Sequence, residues 1–326
     1  MFRFKTPQRI HKLGNIQIGG QPGELPTVLV GSIFYQGHKI LKNSQKGTFD
    51  KDAAETLIKN QEALSDSTGN PAVLDVVISS VGAIEKELDF ISAITDSPFL
   101  FDAWPPSVRI KGLQYLKQTG LNNRAIYNSI SPATKEDELK ALKESEVKSA
   151  ILLTYNFKDP WVKGLLPVLR GNGRKPGLLS VAAKTGIDKP LVDTCVTSVP
   201  SIGISARAIR CVKAEFGVPS GCGAANATTR WKEPKKRWGE DVYKACEASS
   251  QTLTIAMCAD FLMYGPIESS PWIFPASAAV DAIVATAAHE LGTRTRTEEH
   301  PLSKLFPEIS KKTHTHRVKK SSLGPS

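Results

Sequence analysis

The sequence predicts an α/β fold in which eight parallel strands, each followed by a helix, close into a (β/α)8 barrel, the TIM-barrel architecture. Apolar, strand-like runs recur eight times along the chain, and amphipathic helical segments separate most of them. Strands that alternate with helices are typical of a parallel sheet, and eight such units close a barrel. An open, doubly wound sheet is the main alternative. The dinucleotide-binding version of that fold is disfavoured because no GxGxxG motif follows the first strand-like run.

The predicted strands are residues 27–34, 73–79, 99–102, 125–129, 150–156, 191–196, 218–222 and 253–263. The predicted helices are residues 51–67, 83–94, 107–119, 135–144, 178–185 and 206–216. In the first helix apolar residues recur at positions 54, 57, 58 and 64, and Asp50 is a candidate N-cap. The last strand has a second interpretation, because residues 253–263 also fit the end of a long helix that begins near Asp241.

The two ends of the chain are expected to differ from the barrel. Residues 9–18 alternate apolar and polar side chains around Gly14 and Asn15, which predicts a β-hairpin within an extension over residues 1–24. Residues 1–308 are expected to form a single domain. Residues 309–326 are basic and contain no acid, and we expect them to form a solvated, disordered tail.

The net charge of +10 is concentrated at the two ends of the chain. Nine of the 42 Lys and Arg residues fall in residues 1–15 and 309–326, which leaves 33 bases against 32 acids in the body. A nucleic-acid-binding protein would show a basic stripe on its folded surface, so this distribution argues against a nucleic-acid partner. No secretory leader is recognisable, and no apolar run approaches the ~18 residues of a membrane span. These features predict a cytoplasmic protein with no membrane partner.

The five cysteines are Cys195, Cys211, Cys222, Cys246 and Cys258, and no two of them form a CxxC pair. An odd number without paired spacing argues against a disulfide framework, a zinc site or an iron–sulfur cluster. We therefore expect buried, unreactive thiols and no tightly bound metal.

Polar side chains end or follow six of the strand-like runs, where a buried parallel strand would be uniformly apolar. They are Asp75, Asp102, Asn128, Asn156, Asp193 and Asn226. The carboxyl ends of barrel strands converge on one mouth, where active sites are built. Each residue could instead cap the helix that follows it. Six acceptor or amide side chains, with no His or Lys among them, suit the edge of a flat heterocycle such as a pterin.

Five longer blocks carry a resemblance to a known family. They are residues 18–24 (IGGQPGE), 26–35 (PTVLVGSIFY), 124–130 (RAIYNSI), 190–194 (PLVDT) and 217–223 (GVPSGCG). Up to about residue 300, the sequence resembles the family of the H subunit of tetrahydromethanopterin S-methyltransferase. It is also similar to the bacterial methylcobamide:tetrahydrofolate methyltransferases of that family.

The resemblance implies a pterin-binding barrel and gives roles to particular residues. In pterin-binding barrels of corrinoid methyltransferases, an Asp, an Asn, an Asp and an Asn follow strands three, four, six and seven. Those positions would fall on Asp102, Asn128, Asp193 and Asn226. The neutral Asn226 is expected to contact N5 of the pterin and the aspartates to hold its pyrimidine edge. Asn226 and Asp193 are the expected catalytic residues.

The implied reaction is transfer of a methyl group from a methylcobamide to tetrahydrofolate, with either direction open. No Asp-x-His-x-x-Gly motif is present to bind a cobamide, so a separate corrinoid protein is expected to supply it. Tetrahydrofolate is favoured over tetrahydromethanopterin because residues 31–38 (GSIFYQGH) resemble the bacterial relatives more closely. The resemblance also makes a homodimer plausible.

Two further functions stay open at this point. Dihydropteroate synthase is another pterin barrel, but it needs a pyrophosphate site that residues 265–270 (GPIESS) do not offer. A non-catalytic docking scaffold for a corrinoid protein would have no reason to line one mouth with Asp and Asn. Tyr35, His38, Trp104 and Trp231 could also line the mouth, although packing roles are at least as plausible for them.

Overall fold

The computed structural model describes residues 2–173 and 175–315, and their central feature is a closed barrel of eight parallel strands. In chain order the strands are β1 (Ile10–Leu13), β2 (Ile16–Gly19), β3 (Val28–Ile33), β4 (Leu41–Asn43), β5 (Thr48–Phe49), β6 (Ala72–Ile78), β7 (Phe99–Ala103), β8 (Ala125–Ile130), β9 (Ser149–Leu153), β10 (Lys189–Asp193), β11 (Ser220–Cys222) and β12 (Phe261–Pro266). The barrel order is β10-β11-β12-β3-β6-β7-β8-β9, so the predicted (β/α)8 barrel is confirmed.

Helices surround the barrel on its outer side. They are α1 (Lys51–Thr68), α2 (Ile84–Ile94), α3 (Pro106–Thr119), α4 (Glu136–Ser145), α5 (Val162–Arg170), α6 (Leu178–Lys184), α7 (Ile202–Phe216), α8 (Ala225–Thr228), α9 (Glu233–Trp238), α10 (Glu240–Ala256), α11 (Ser270–His289), α12 (Pro301–Leu305) and α13 (Pro307–Thr315). The predicted N-cap of α1 is confirmed, because Asp50 Oδ1 accepts from the backbone N–H of Ala53 at 3.1 Å.

The eighth barrel strand lies further along the chain than its predicted start. Residues 253–256 form the last turn of α10, and β12 begins only at Phe261. The helix is terminated through Thr254, whose carbonyl oxygen accepts from Met257 and Ala259 at 3.2 and 3.0 Å. A continuous apolar run does not distinguish a buried helix from a buried strand. The single strand predicted over residues 253–263 therefore covered both the end of α10 and the start of β12.

The predicted amino-terminal hairpin is present and closes the end of the barrel opposite the mouth. Strands β1 and β2 pair in antiparallel register from Ile10–Gly19 to Leu13–Ile16. Leu13, Ile16 and Ile18 join the apolar residues that fill the barrel interior. The buried Lys213 ties the hairpin to the barrel, because its Nζ donates to the carbonyl of Gly20 at 3.0 Å.

The carboxyl end is ordered further than expected. Residues 309–315 were predicted to belong to the disordered tail, but they form most of α13. The domain boundary at residue 309 stays a prediction. Packing against α12 explains the difference, because Ser310 is buried and its Oγ lies 2.9 Å from Oγ of Ser303. The rest of the tail, residues 316–326, lies outside the described residues.

Among the described residues, the segment Ile267–His289 is by length and composition capable of crossing a membrane. Half of its most apolar window is buried in the fold, where α11 packs against α1, α10 and α12. The buried Asp281 of this helix accepts hydrogen bonds from Thr27 and Asn70. Core helices of globular proteins pass the same test, so the segment is weak support for a membrane span.

Candidate active site at the barrel mouth

Four of the six predicted site residues occupy one inward-facing layer of the barrel. The interior is filled by an apolar cluster that includes Val73, Leu100, Ile126 and Leu191. Successive inward-facing side chains on a strand are two residues apart. The next inward positions are Asp75, Asp102, Asn128 and Asp193, on β6, β7, β8 and β10. The strand register therefore brings these four side chains together at the mouth.

One side of the mouth is a hydrogen-bonded group of side chains on β3, β6 and β8. Ser32 Oγ on β3 donates to Asp75 Oδ2 at 2.8 Å, and Asn128 Nδ2 on β8 lies 3.4 Å from Asp75 Oδ1. Asp75 is only 6% exposed, and burial raises the pKa of its carboxyl. Ser32 was missed by the sequence analysis, although it occupies the inward position two residues after Val30.

Asp102 lies between these strands and is the least satisfied carboxyl of the site. Within residues 2–173 and 175–315 its carboxyl group makes no hydrogen bond or ion pair. Burial raises its pKa well above the usual range, the neighbouring Asp75 raises the pKa further, and Arg109 lowers it. Arg109 is itself engaged by Glu138, with Nη1 2.9 Å from Oε1. Asp102 is therefore free to pair with a bound molecule.

Asp193 and Asn226 form the other side of the mouth. β10 is three strands from β7 around the barrel, and β11, which precedes Asn226, is four strands away. The backbone N–H of Cys195 donates to Asp193 Oδ1 at 2.8 Å, and burial raises the pKa of Asp193 to about 6. Asn226 is exposed on α8, and its carboxamide has no hydrogen-bond partner in the described part of the chain. A Cβ at Gly223 would lie 3.0 Å from Asn226 Nδ2, so glycine leaves room for the carboxamide.

A buried polar network, not predicted from the sequence, holds α8 in place. Thr228 Oγ1 donates to Glu247 Oε1 at 3.3 Å, and Gln251 Nε2 donates to Thr228 Oγ1 at 3.1 Å. Trp272 Nε1 donates to Glu247 Oε2 at 3.0 Å. Because Thr228 follows Asn226 by two residues, the network fixes the helix that presents the Asn226 carboxamide.

Asn156 does not belong to this layer, and its predicted role as a pterin ligand stays a prediction. β9 ends at Leu153, so Asn156 lies in the following loop. Its Oδ1 accepts from the backbone N–H groups of Lys158 and Asp159 at 3.1 and 3.3 Å, and its Nδ2 donates to the carbonyl of Gly164 at 3.1 Å. Both ends of the side chain stabilise the loop.

Two of the other candidates form a small cluster after β3. The rings of Tyr35 and His38 stack with centroids 4.4 Å apart. His38 Nε2 lies 3.1 Å from Oε1 of Glu268, which the sequence analysis did not single out, and Nδ1 accepts from the N–H of Phe34. His38 is buried, and these two contacts fix the conformation of the loop that follows β3. Trp104 is 88% exposed and Trp231 is half-buried.

Two of the cysteines, Cys195 and Cys222, lie near Asp193. Burial raises the pKa of Cys195 and Cys222 to about 12, so both thiols stay protonated at neutral pH. No group of three or more His, Cys, Asp or Glu side chains among the described residues is arranged to hold a metal ion.

Comparison with known sequences identifies the family. The sequence model of the tetrahydromethanopterin S-methyltransferase MtrH subunit matches residues 6–296. The chain belongs to the MtrH family of methyltransferases. It is 42% identical over 312 residues to the H subunit of tetrahydromethanopterin S-methyltransferase from Methanothermobacter marburgensis, covering 94% of this chain and 100% of that protein. It is 40% identical over 310 residues to the H subunit of the putative methyltransferase mtx from Methanosarcina mazei, with the same coverage.

Solved structures similar to this MtrH-family barrel include dihydropteroate synthases. The Yersinia pestis enzyme in a sulfonamide drug complex matches with a TM-score of 0.58 and 11% identity, covering 84% of this chain and 99% of that chain. The Xanthomonas albilineans enzyme matches with a TM-score of 0.54 and 17% identity, covering 85% and 98%. At such low identity these matches show the fold alone.

Proposed function

We propose that this chain moves a methyl group between the cobalt of a corrinoid carried by a separate protein and N5 of a reduced pterin. The observation that carries the proposal is the layer of Asp75, Asp102, Asn128 and Asp193, which replaces apolar side chains at the mouth. Within that layer the Asp102 carboxyl has no partner in the described chain. Asp102 is half-buried, and a carboxyl held partly away from water without a partner in a concave site indicates a ligand that pairs with it.

Each side of the mouth would bind a different part of the pterin ring. Asp75, Asp102 and Asn128 offer acceptors and an amide to the amino group, ring N–H and lactam of its pyrimidine edge. Because β10 and β11 lie across the barrel, Asp193 and Asn226 would face the opposite, N5-bearing side of the ring. The barrel thus supplies position and orientation, which account for much of the rate of a transfer between two bound partners.

The residues near N5 fit the proton and charge requirements of the reaction. Attack by N5 requires an unprotonated nitrogen, and departure of the methyl group from N5 requires positive character there. Asn226 can donate to or accept from N5 in both directions without adding a fixed charge. With a pKa of about 6, Asp193 can exchange a proton near neutral pH, as a general acid or base must.

Tetrahydromethanopterin is the pterin with the better support. The relatives at 42% and 40% identity are named as methyltransferase subunits, and the first name includes tetrahydromethanopterin. The preference for tetrahydrofolate depended on residues 31–38, and the structure gives that segment a role in folding. A Cβ at Gly31 would lie 2.2 Å from Oη of Tyr264, and His38 fixes its own loop. Tetrahydrofolate stays a second candidate that the assay below tests.

The names of these relatives as subunits also support a partner protein. We propose that this partner carries the corrinoid, which supplies or accepts the methyl group, because the chain has no Asp-x-His-x-x-Gly motif. A cytoplasmic location, the homodimer and the absence of a membrane partner stay predictions, and cell fractionation and light scattering would test them.

The reaction is tested by incubating the purified chain with methylcobalamin and each pterin in turn, following demethylation of cobalt by its absorbance. We expect turnover with tetrahydromethanopterin. Turnover with tetrahydrofolate alone would reverse the choice of pterin and leave the reaction class intact. No turnover with either, together with no pterin binding, would overturn the proposed function in favour of a docking scaffold.

The site assignment is tested by Asp102→Ala. We expect pterin binding to weaken by about 1–3 kcal/mol, the effect of removing one partner of a buried hydrogen bond. Isothermal titration calorimetry measures the affinity. The matched control is Asp96→Ala, which removes an exposed carboxylate before the amino end of the same strand. Wild-type affinity in the Asp102 variant would remove this residue from the site.

A further inference from the structure

An open cleft of about 410 Å³ lies next to the Asp193 side of the mouth. One wall is the loop of residues 197–200 that follows β10, and the other is formed by Ala227, Arg230 and Trp231 at the end of α8. Pockets of roughly 300–1,000 Å³ hold small organic ligands. The cleft is therefore large enough to take part of a substrate.

The residues that line the cleft are close in the chain to two of the site residues. The loop wall begins four residues after Asp193, and Ala227 directly follows Asn226. Arg230 lies four residues after Asn226, and its N–H donates to the carbonyl of Ala227 at 3.2 Å. A ligand whose ring is held by Asp193 and Asn226 would extend its substituent into this cleft.

The lining is mainly apolar and contains one uncompensated positive charge. Val199, Pro200, Ala227 and the half-buried Trp231 provide the apolar surface. Within the described chain, the guanidinium of Arg230 makes no hydrogen bond or ion pair. Two of the following basic residues are already paired, because Arg237 bonds Glu233 at 3.2 Å and Lys235 bonds Glu240 at 2.5 Å.

The loop wall offers few donors of its own. The backbone N–H groups of Thr197 and Ser198 both donate to Ser201 Oγ at 3.0 Å. Arg230 is therefore the group in the cleft best placed to bind an anion. An arginine beside an aromatic ring suits a ligand that has an apolar ring and a carboxylate or phosphate further along.

We propose that this cleft is the subsite for the substituent of the reduced pterin, with Trp231 packing against its aryl ring and Arg230 pairing with its anionic end. The inference rests on the proposed function, because it takes a pterin as the bound molecule. Tetrahydrofolate and tetrahydromethanopterin share an aryl group and an anionic end, so the shared chemistry defines the ligand. Arg230 thus acts in substrate affinity and not in the methyl transfer.

The test compares Arg230→Gln with wild type against three ligands in calorimetry: tetrahydromethanopterin, tetrahydrofolate and 6-methyltetrahydropterin, which lacks the aryl and anionic groups. We expect the variant to bind the preferred tailed pterin about tenfold to a hundredfold more weakly and the tailless pterin with unchanged affinity. The control is Lys236→Gln, which removes an exposed charge on α9 outside the cleft. It should bind all three ligands like wild type.

A second measurement uses salt. In wild type, the affinity advantage of the tailed pterin should decrease from 50 to 500 mM NaCl, and in Arg230→Gln it should not, because salt screens a partly exposed charge pair. Equal weakening of tailed and tailless ligands would overturn the proposal, since Arg230 would then act through the fold. An unchanged affinity for the tailed pterin would also overturn it. If wild type binds none of the three, the proposed function fails first. Binding of 6-methyltetrahydropterin with no advantage for either tailed pterin removes this subsite alone.

Discussion

Substituting Asp193 with Asn would measure how much stability the unliganded protein loses by keeping a buried carboxyl at the mouth. Asp193 is 5% exposed, and burial raises the pKa of its carboxyl from 3.8 to about 6. A difference of about two pH units corresponds to roughly 3 kcal/mol at 1.36 kcal/mol per unit. The carboxylate is therefore expected to destabilise the unliganded fold at neutral pH by a few kcal/mol.

The sign of the pH dependence follows from the direction of this pKa. In the unfolded chain the carboxyl ionises near 3.8, whereas in the folded chain it keeps its proton until about pH 6. Between these values the folded state holds more protons, so its stability falls as pH rises. The Asn variant has no proton to lose. The free energy of unfolding of Asp193→Asn minus that of wild type should therefore increase by roughly 2 kcal/mol from pH 4 to pH 6.5 and change little above that, because part of the roughly 3 kcal/mol is already lost at pH 4.

The assay is urea-induced unfolding of both proteins at several pH values from 4 to 8. Any hydrogen bond that the amide loses at the backbone adds an offset that does not depend on pH, so the change with pH carries the prediction. Asp188→Asn is the control, because Asp188 is an exposed carboxylate just before the same strand. A stability difference that does not change with pH would refute the argument that burial raises the pKa of Asp193.

The same variant should bind pterin more weakly. An amide at position 193 presents a donor where the carboxylate presents a second acceptor, so one hydrogen bond to the ligand is lost, at about 1–3 kcal/mol. We therefore expect Asp193→Asn to be more stable and less active than wild type at pH 7. A variant that is more stable and retains wild-type turnover would show that Asp193 has no role in the reaction.

Two further substitutions test the parts that support the site. Lys213→Met should lower stability by about 3–5 kcal/mol because it leaves Asp260 charged, buried and unpaired, and a thermal midpoint close to wild type would contradict this. Glu247→Gln should lower kcat about tenfold with little change in KM, because Asn226 loses its fixed position. An unchanged kcat, with an unchanged circular dichroism spectrum, would show that this network serves stability alone.

The barrel and half of the site could be predicted because both depend on local periodicity. Asp75, Asp102, Asn128 and Asp193 each follow an inward-facing apolar residue by two positions, so the strand pattern alone directs them to the interior. The same rule, applied strictly, places Asn156 outside this layer. It lies five residues after the inward-facing Ile151 and is therefore out of phase.

Other features depended on where the chain turns, which the sequence pattern does not specify. The apolar character of residues 253–263 was evident, but the change from α10 to β12 depends on the hydrogen bonds to Thr254 that terminate the helix. Likewise, the helical order of residues 309–315 depends on the contact of Ser310 with α12. Composition alone favours a solvated tail there.

By itself the sequence determined the alternation of strands and helices, the closed barrel that follows from eight units, and the polar residues at inward positions. The tertiary structure decided which of those residues meet. Ser32 and Asp75 are 43 residues apart, and Asp75 and Asn128 are 53 apart, yet they bond because their strands lie close in a closed barrel. The burial that raises the pKa values of Asp102 and Asp193 has the same origin. Register, barrel closure and the exclusion of water are properties of all the strands together, so no local pattern contains them.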